Sequence, residues 1–293
     1  MAANRIARQA DVVIGIGTRY SDFTTASRTA FGAPHVRFVN VNVAAADAVK
    51  LAGTPLVADA REALRGLSAA LAGWSASEDY QAEARRLSAA WQQTVGEAFA
   101  LGHQPPAQSE VIGAVNDAAG PRDVVVCAAG SMPGDLHKLW RTRDPKGYHV
   151  EYGYSCMGYE IAGGLGVKLA EPGREVYVLV GDGSYLMMAS ELVTAVAEGV
   201  KLIVVLVQNH GFASIGGLSE TVGVQRFGTR YRYRNPQTGR LDGGILPVDL
   251  AANAASLGVR VLRAETIAEL RAARCARRRR SPARSSCTSR PTR

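Results

Sequence analysis

The sequence has 293 residues, of which 47% are hydrophobic, and it carries a formal net charge of +8. This length predicts about two domains, and the lack of an apolar run of about 18 residues predicts no membrane span. The N-terminal residues lack the apolar core of a signal peptide, and the cysteines (Cys127, Cys156, Cys275 and Cys287) lack a disulfide-framework spacing. We therefore expect a cytoplasmic protein with ordinary thiols.

Residues 1–72 predict part of a central α/β domain. Strands are expected at 11–17, 36–43 and 55–58, and helices at 44–51 and 60–72, the second with Leu64, Leu67 and Leu71 on its apolar stripe. Gly15 and Gly17 do not complete a G-x-G-x-x-G phosphate loop, because Tyr20 stands where the third glycine belongs. We interpret this stretch as a turn.

Residues 73–108 predict a linker and a long helix at 78–101. The apolar stripe of that helix comprises Tyr80, Ala84, Leu87, Trp91, Val95 and Ala98. Pro105 and Pro106 separate it from the next helix, at 110–119, which Ser109 is expected to cap.

Residues 109–271 predict a doubly wound parallel sheet, because strands and helices alternate. Strands are expected at 123–127, near 149–151, and at 176–180, 202–207 and 259–262; helices are expected near 135–140, and at 158–170, 185–198 and 266–273. The helix at 185–198 is expected to bury one apolar face, formed by Leu186, Ala189, Val193, Val196 and Ala197.

Polar residues follow two apolar strands of this segment. Gly181-Asp182-Gly183-Ser184 follows the strand at 176–180, and Gln208-Asn209-His210-Gly211 follows the strand at 202–207. The carboxyl ends of parallel strands meet at one edge of a sheet, so Asp182 and Asn209 should lie close together. Their oxygens suit Mg²⁺, and Gly183 and Ser184 open a helix whose N-terminus favours an anion. We predict a Mg²⁺-bridged diphosphate, with the metal on Asp182, Asn209 and Gly211; the alternative is a common glycine turn.

This arrangement resembles the fingerprint of thiamine-diphosphate enzymes. A closer resemblance, over about residues 5–271, is to the trihydroxycyclohexane-dione hydrolases of myo-inositol catabolism, within the acetolactate-synthase-like superfamily. The stretches that carry it are ADVVIGIGTRYSDFTTAS, AAGSMPGDLHKLW, GDGSYLMMASELVTAVAEG, NHGFASIGGLSETVG and FGTRYRYR. The resemblance implies a thiamine-diphosphate-binding fold, thiamine diphosphate and Mg²⁺ as cofactors, and hydrolytic C–C cleavage of a cyclic polyhydroxy 1,2-dione to 5-deoxy-glucuronate. The alternatives are a carboligase or decarboxylase and a non-catalytic fragment that assembles with an intact relative.

The resemblance also implies the residues that contact the cofactor. Met157 would prop it in a bent conformation, although a methionine is also a common core residue. His137 lies in a turn like Gln-His-x-x-Trp, with Leu136 in place of the glutamine; the alternative is a surface histidine. Ser155 stands where many relatives have glycine. The full predicted set is Ser131, His137, Ser155, Met157, Gly181, Asp182, Gly183, Ser184, Asn209 and Gly211.

Such enzymes carry an N-terminal pyrimidine-binding domain, whose glutamate activates the cofactor from a neighbouring subunit. The sequence shows no such domain, so we expect a C-terminal portion that is catalytically silent alone and assign no catalytic residue to it. We expect a homo-oligomer or association with a pyrimidine-binding domain, and no nucleic-acid partner.

Two stretches remain. Residues 212–249 are glycine-rich and include Arg226, Arg230, Arg232 and Arg234, which predicts either a lid over the cofactor or a solvated insertion. Residues 272–293 are rich in arginine and contain no acidic residue, which predicts a disordered tail. The abrupt change in composition near Ala272 also fits a shifted reading frame.

Overall fold

The computed structural model describes residues 1–278 and divides into two compact units, Met1–Gly96 and the part of the chain from Glu97 onward. Both units contain a parallel sheet with flanking helices, so the predicted α/β class is confirmed. None of the helices in residues 1–278 is long and apolar enough to cross a membrane.

The first unit contains a three-stranded parallel sheet of order β1-β2-β3. Its elements are α1 (Ala2–Gln9), β1 (Val12–Ile16), α2 (Asp22–Thr25), β2 (Arg37–Asn42), α3 (Ala45–Ala48), a 3-10 turn (Lys50–Ala52), β3 (Thr54–Val57), α4 (Ala60–Ala70) and α5 (Glu78–Ala98). The three predicted strands are present. The stripe predicted on α4 is wrong in part, because Leu64 and Leu71 are exposed and Ala63 is the buried residue.

The second unit contains a four-stranded parallel sheet of order β5-β4-β6-β7. Its elements are α6 (Gln108–Ala118), β4 (Val124–Cys127), α7 (Ser131–Leu139), β5 (Tyr148–Val150), α8 (Tyr159–Ala170), β6 (Val176–Gly181), α9 (Asp182–Met188), α10 (Glu191–Ala197), β7 (Ile203–Val207), α11 (Ala213–Thr221), α12 (Leu250–Ser256) and α13 (Ile267–Arg278).

The order of these strands creates a crevice at their carboxyl ends. From β4 the chain passes through α7 to β5 on one side, and from β6 it passes through α9 and α10 to β7 on the other. The connections therefore diverge between β4 and β6, at a topological switch point of the kind where open α/β sheets bind ligands.

Alternate residues of β4 and β6 are buried on opposite faces of the sheet. Val126 and Val178 pack with Ile161 of α8, Tyr185 of α9 and Leu250 of α12. The intervening residues of the same strands are also buried, and α7 lies against β6. Strands buried on both faces explain the continuous apolar runs in the sequence.

Two predicted elements of this unit differ from the structure. The helix predicted at 185–198 is two helices that break at Ala189 and Ser190, so its apolar periodicity does not continue across the break. Its predicted buried face is therefore wrong in part: Leu186, Val193 and Val196 are exposed, whereas Tyr185, Leu192 and Ala195 are buried. Of the predicted face, Ala189 packs against the core. The strand predicted at 259–262 does not form, which leaves β7 at the edge of the sheet.

Three smaller predictions are also corrected. Ser109 does not cap α6, which begins one residue earlier; instead the Glu110 carboxylate accepts a hydrogen bond from the Ala107 backbone N–H at 2.9 Å. The segment 212–249 is not wholly irregular, because it contains α11. Helix α13 continues to Arg278, beyond the predicted end at 273; the rest of the predicted tail, 279–293, lies outside the described residues.

Candidate cofactor site

Asp182 lies at the carboxyl end of β6 with no exposed surface. Its carboxylate accepts hydrogen bonds from three backbone N–H groups: Gly183 at 2.9 Å, Asn209 at 3.2 Å and Gly211 at 3.1 Å. Burial raises the pKa of Asp182, and these amides oppose that rise. A buried carboxylate that faces several fixed donors is oriented without help from another charged side chain.

The Asn209 amide lies beside this carboxylate. In one orientation its Nδ2 donates to Asp182 Oδ1 at 3.3 Å and to the Gly211 carbonyl oxygen at 2.9 Å. In the other orientation the amide oxygen takes that place, and three oxygens converge. A hard cation would favour the second orientation. Residues 1–278 contain no group of three or more His, Cys, Asp or Glu side chains that could hold a metal, so such a site would depend on these mixed oxygens.

A cleft opens above Asp182 at the switch point of the second unit. Seven of the ten predicted cofactor residues line it: Ser131, Met157, Gly181, Gly183, Ser184, Asn209 and Gly211. Asp182 is buried next to Gly181 and Gly183 of this lining. The cleft also includes Gly130, which has φ +89° and therefore favours glycine, immediately before α7.

A side chain at Gly183 would collide with the Phe212 ring and contact Met157. A Cβ there would lie 2.8 Å from the Phe212 ring and 3.4 Å from Met157 Cε. The glycine therefore keeps the floor of the cleft open between an aromatic and a thioether side chain. An elongated ligand with an apolar middle and an anionic end suits this floor.

Ser155 and His137 are not among the residues of the described chain that line the cleft. Ser155 has φ 57°, a left-handed conformation in which glycine would be unstrained. Nδ1 of His137 lies 2.9 Å from the Pro133 carbonyl oxygen and 3.2 Å from the Tyr148 hydroxyl, and its ring stacks on Tyr152. The side chain of His137 is thus held within an aromatic cluster.

Sequence reasoning did not assign Glu160 a role in the cofactor site. This residue of α8 is 1% exposed, and it accepts hydrogen bonds from the backbone N–H of Gly158 at 3.0 Å and of Ala129 at 3.4 Å. The Ser184 hydroxyl also bonds to it, and burial raises its pKa. One carboxyl group therefore connects two residues that line the cleft, Ala129 and Ser184, with the start of α8. A lone acid in the first turn of an apolar helix was the available signal, but that pattern also fits an ordinary helix N-terminus.

Gln108 is a second residue that the sequence did not indicate. Its Nε2 donates to Asp135 at 2.7 Å, and its Oε1 accepts from the Ser131 hydroxyl at 3.4 Å. Gln108 lies in the first turn of α6 and lines the cleft, so its hydrogen bond positions the Ser131 side chain. Only the tertiary arrangement brings these residues together.

Two family models match the chain. Residues 1–67 match the central domain of thiamine pyrophosphate enzymes, and residues 128–283, more than half of the chain, match their C-terminal TPP binding domain. The chain therefore belongs to the thiamine pyrophosphate enzymes. The predicted cofactor residues that line the cleft all lie within the second match.

Comparison with individual relatives shows which thiamine pyrophosphate enzymes the chain is similar to. The chain is 44% identical to the 3D-(3,5/4)-trihydroxycyclohexane-1,2-dione hydrolase 1 of a Bacillus cereus strain, over 93% of this chain and 46% of that protein. Proteins with the corresponding name from Bacillus thuringiensis (strain Al Hakam) and Bacillus anthracis are 44% and 43% identical over the same shares. The predicted resemblance is thus confirmed, and the chain spans about half the length of these relatives.

Proposed function

We propose that the second unit binds thiamine diphosphate through a Mg²⁺ ion held by Asp182, Asn209 and the carbonyl of Gly211. The observation that carries this proposal is the convergence of one carboxylate, one amide and one carbonyl at the edge of the cleft. Mg²⁺ takes oxygen ligands and commonly combines one or two carboxylates with phosphate oxygens. The residues present therefore fit a magnesium diphosphate.

The remaining walls would contact the organic part of the cofactor. Ser131 and Ser184 supply hydroxyl groups on either side of the switch point, and Met157 supplies an apolar support near Gly183. Ser155 and His137 remain in the proposed set as residues that contact the cofactor from the margin of this cleft. When bound, thiamine diphosphate supplies a carbon nucleophile and an electron sink for cleavage of a C–C bond next to a carbonyl. The role of this chain is to orient that group and shield it from water.

The proposed reaction is hydrolytic ring opening of a cyclic polyhydroxy 1,2-dione in inositol catabolism, supported by the names of the relatives and their identity to this chain. Arginines of the segment 222–249 are candidates for contacting such a substrate. Arg226, Arg232 and Arg234 already bond to Glu220, Asp242 and Gly239 respectively. The guanidinium groups of Arg230 and Arg240 make no hydrogen bond within the described chain, and of these two residues Arg230 pairs its backbone with Gly211. We assign Arg230 to the substrate.

We further propose that a pyrimidine-binding domain of another subunit packs beside the cleft. Helix α11 starts at the cleft and exposes Ile215, Leu218 and, at its end, Val222, on one side. An apolar helix face next to a cofactor cleft suits a protein partner better than water.

We also propose a cytoplasmic location for the protein. Cys127 and Cys156 are free thiols, which is usual for proteins of a reducing compartment.

The test is to purify residues 1–293 and titrate thiamine diphosphate by calorimetry, with Mg²⁺ and with EDTA. Magnesium-dependent binding is expected, and its absence would contradict the cofactor assignment. Ring opening of the cyclic dione is then assayed with and without a separately expressed pyrimidine-binding domain. Pyruvate is the control substrate: consumption of pyruvate in place of the dione would favour a carboligase or decarboxylase.

A further inference from the structure

The loop between β5 and α8, residues 151–158, which we call the methionine loop, carries Met157 into the cleft. Glu151 begins this loop at the end of β5, where its backbone N–H donates to the Cys127 carbonyl at 3.3 Å. Gly158 ends the loop with φ +91° and precedes α8. Met157 lies immediately before Gly158 and lines the cleft. The conformation of the loop therefore determines the position of this thioether side chain.

The Glu151 side chain folds back over the methionine loop. Its Oε1 accepts a hydrogen bond from the Tyr154 backbone N–H at 2.8 Å, and its Oε2 accepts one from the Cys156 backbone N–H at 2.7 Å. These donors belong to the residues on either side of Ser155, which has φ 57°. A residue other than glycine is strained in this conformation, so it persists only where its surroundings fix it. The two bonds to one carboxylate supply that restraint.

Glu151 is ionised when it makes these bonds. The N–H groups of Cys156 and Tyr154 lower the pKa of Glu151, so its carboxylate is charged at neutral pH. Hydrogen bonds to an ionised acceptor are about twice as strong as bonds between neutral groups. The side chains of Tyr154 and Cys156 are exposed and add little packing of their own. The bonds to Glu151 are therefore the main restraint on this part of the loop.

Met157 lies at the far end of the restrained segment. Its Cε would lie 3.4 Å from a Cβ at Gly183, in the same gap as the Phe212 ring. A rotation of the backbone at Ser155 would move Met157 out of this gap, because only Cys156 separates the two residues.

We propose that Glu151 is a positioning residue of the cofactor site, and that its carboxylate fixes the loop conformation in which Met157 supports the organic part of thiamine diphosphate. Glu151 is not among the residues of the described chain that line the cleft, so it acts through Met157. The identity of the ligand rests on the proposed function. The dependence of Met157 on Glu151 is a property of the ligand-free chain.

The first test is Glu151→Gln in the chain of residues 1–293, labelled with ¹³C in the methionine methyl groups. Glutamine keeps the size of the side chain but replaces one of the two acceptor oxygens by an amide nitrogen. The methyl signal of Met157, identified by its loss in Met157→Ala, should shift in the ligand-free protein, because the methyl group moves relative to the Phe212 ring. An unchanged signal would overturn the inference.

The second test compares two ligands by calorimetry in the presence of Mg²⁺. The affinity of Glu151→Gln for thiamine diphosphate should fall about tenfold, the effect of losing roughly two buried methylene contacts. Its affinity for inorganic pyrophosphate, which lacks the organic part, should equal that of the wild type. Equal losses for the two ligands would overturn the inference, because they would indicate general damage to the cleft.

The matched control is Glu269→Gln. Glu269 also accepts two backbone N–H groups, those of Glu265 at 2.7 Å and Thr266 at 3.2 Å, and it is not among the described residues that line the cleft. The Met157 signal and both affinities should match the wild type in this variant. If Glu151→Gln does not fold, Glu151→Asp replaces it, because the shorter side chain withdraws the carboxylate from its donors. If the wild type fails to bind thiamine diphosphate, the proposed function fails, and the Met157 signal alone decides the present inference.

Discussion

The backbone nitrogen of Gly211 lies 3.1 Å from Oδ2 of Asp182, although the two residues are 29 positions apart. This bond connects the loops that follow two neighbouring strands, and it fixes the carboxylate at the edge of the cleft. The two loops can therefore act as one binding unit, and substitutions in them should affect cofactor binding and stability together.

Asp182→Ala should reduce magnesium-dependent binding of thiamine diphosphate by roughly a hundredfold or more, because it removes the carboxylate from the proposed metal site. Asn209→Ala should reduce it about tenfold, since a neutral amide contributes less than a charged group. Calorimetric titration measures both effects. Glu198→Ala, at an exposed carboxylate, is the control. Unchanged affinity in Asp182→Ala would refute the metal assignment.

Glu160→Gln should make the stability of the ligand-free protein less dependent on pH. Burial raises the pKa of Glu160, so above the unfolded-state pKa the native state holds a proton that the unfolded state has lost. Native stability therefore decreases as pH rises towards the folded pKa, by at most about 1.4 kcal/mol per pH unit. Glutamine removes this contribution. Urea unfolding between pH 4 and 8 compares the two slopes, and parallel curves would contradict the prediction.

Gly211→Ala should destabilise the second unit by about 1–3 kcal/mol, because the new Cβ overlaps the Thr229 carbonyl oxygen and the backbone of Thr229 and Arg230 must move. The loss is measured by urea unfolding, and faster proteolysis within residues 222–249 should accompany it. Gly217→Ala on α11 is the matched control, since a Cβ there meets no atom within 4 Å. A loss no larger than that of this control would show that the pairing of residue 211 with Arg230 does not need a glycine.

Leu218→Glu should prevent association with a pyrimidine-binding domain without unfolding the chain. Leu218 is 66% exposed on α11, so a charge there should change stability by no more than about 0.5 kcal/mol. Burial of the same charge against a partner would be strongly unfavourable. Sedimentation of mixtures with the separately expressed domain measures the complex. Thr221→Glu, at the end of the same helix, tests the effect of charge alone; equal assembly of wild type and Leu218→Glu would place the interface elsewhere.

Sequence patterns predicted the part of the site that depends on strand order. Asp182 and Asn209 each follow an apolar run, and consecutive parallel strands are usually neighbours, so their proximity followed from local signals. Gln108 gave no such signal, because only the tertiary position of α6 brings it to the site. The buried face at 185–198 was mispredicted because the break at Ser190 changes the phase of the apolar pattern. Local periodicity identifies elements well but does not specify interruptions or long-range pairing.

The hydrogen bonds to Asp182 have a consequence for synthesis of the chain. Asp182 emerges from the ribosome before Asn209 and Gly211, whose backbone amides hold its carboxylate. Until Asn209 and Gly211 emerge, water must take the place of their N–H groups at the Asp182 carboxylate. A hydrated carboxylate opposes burial of the end of β6. The cofactor edge of the second unit should therefore be the last part of the sheet to close, after its apolar centre has formed. A ligand that binds this edge would act on a nascent chain only after residues 209–211 have emerged.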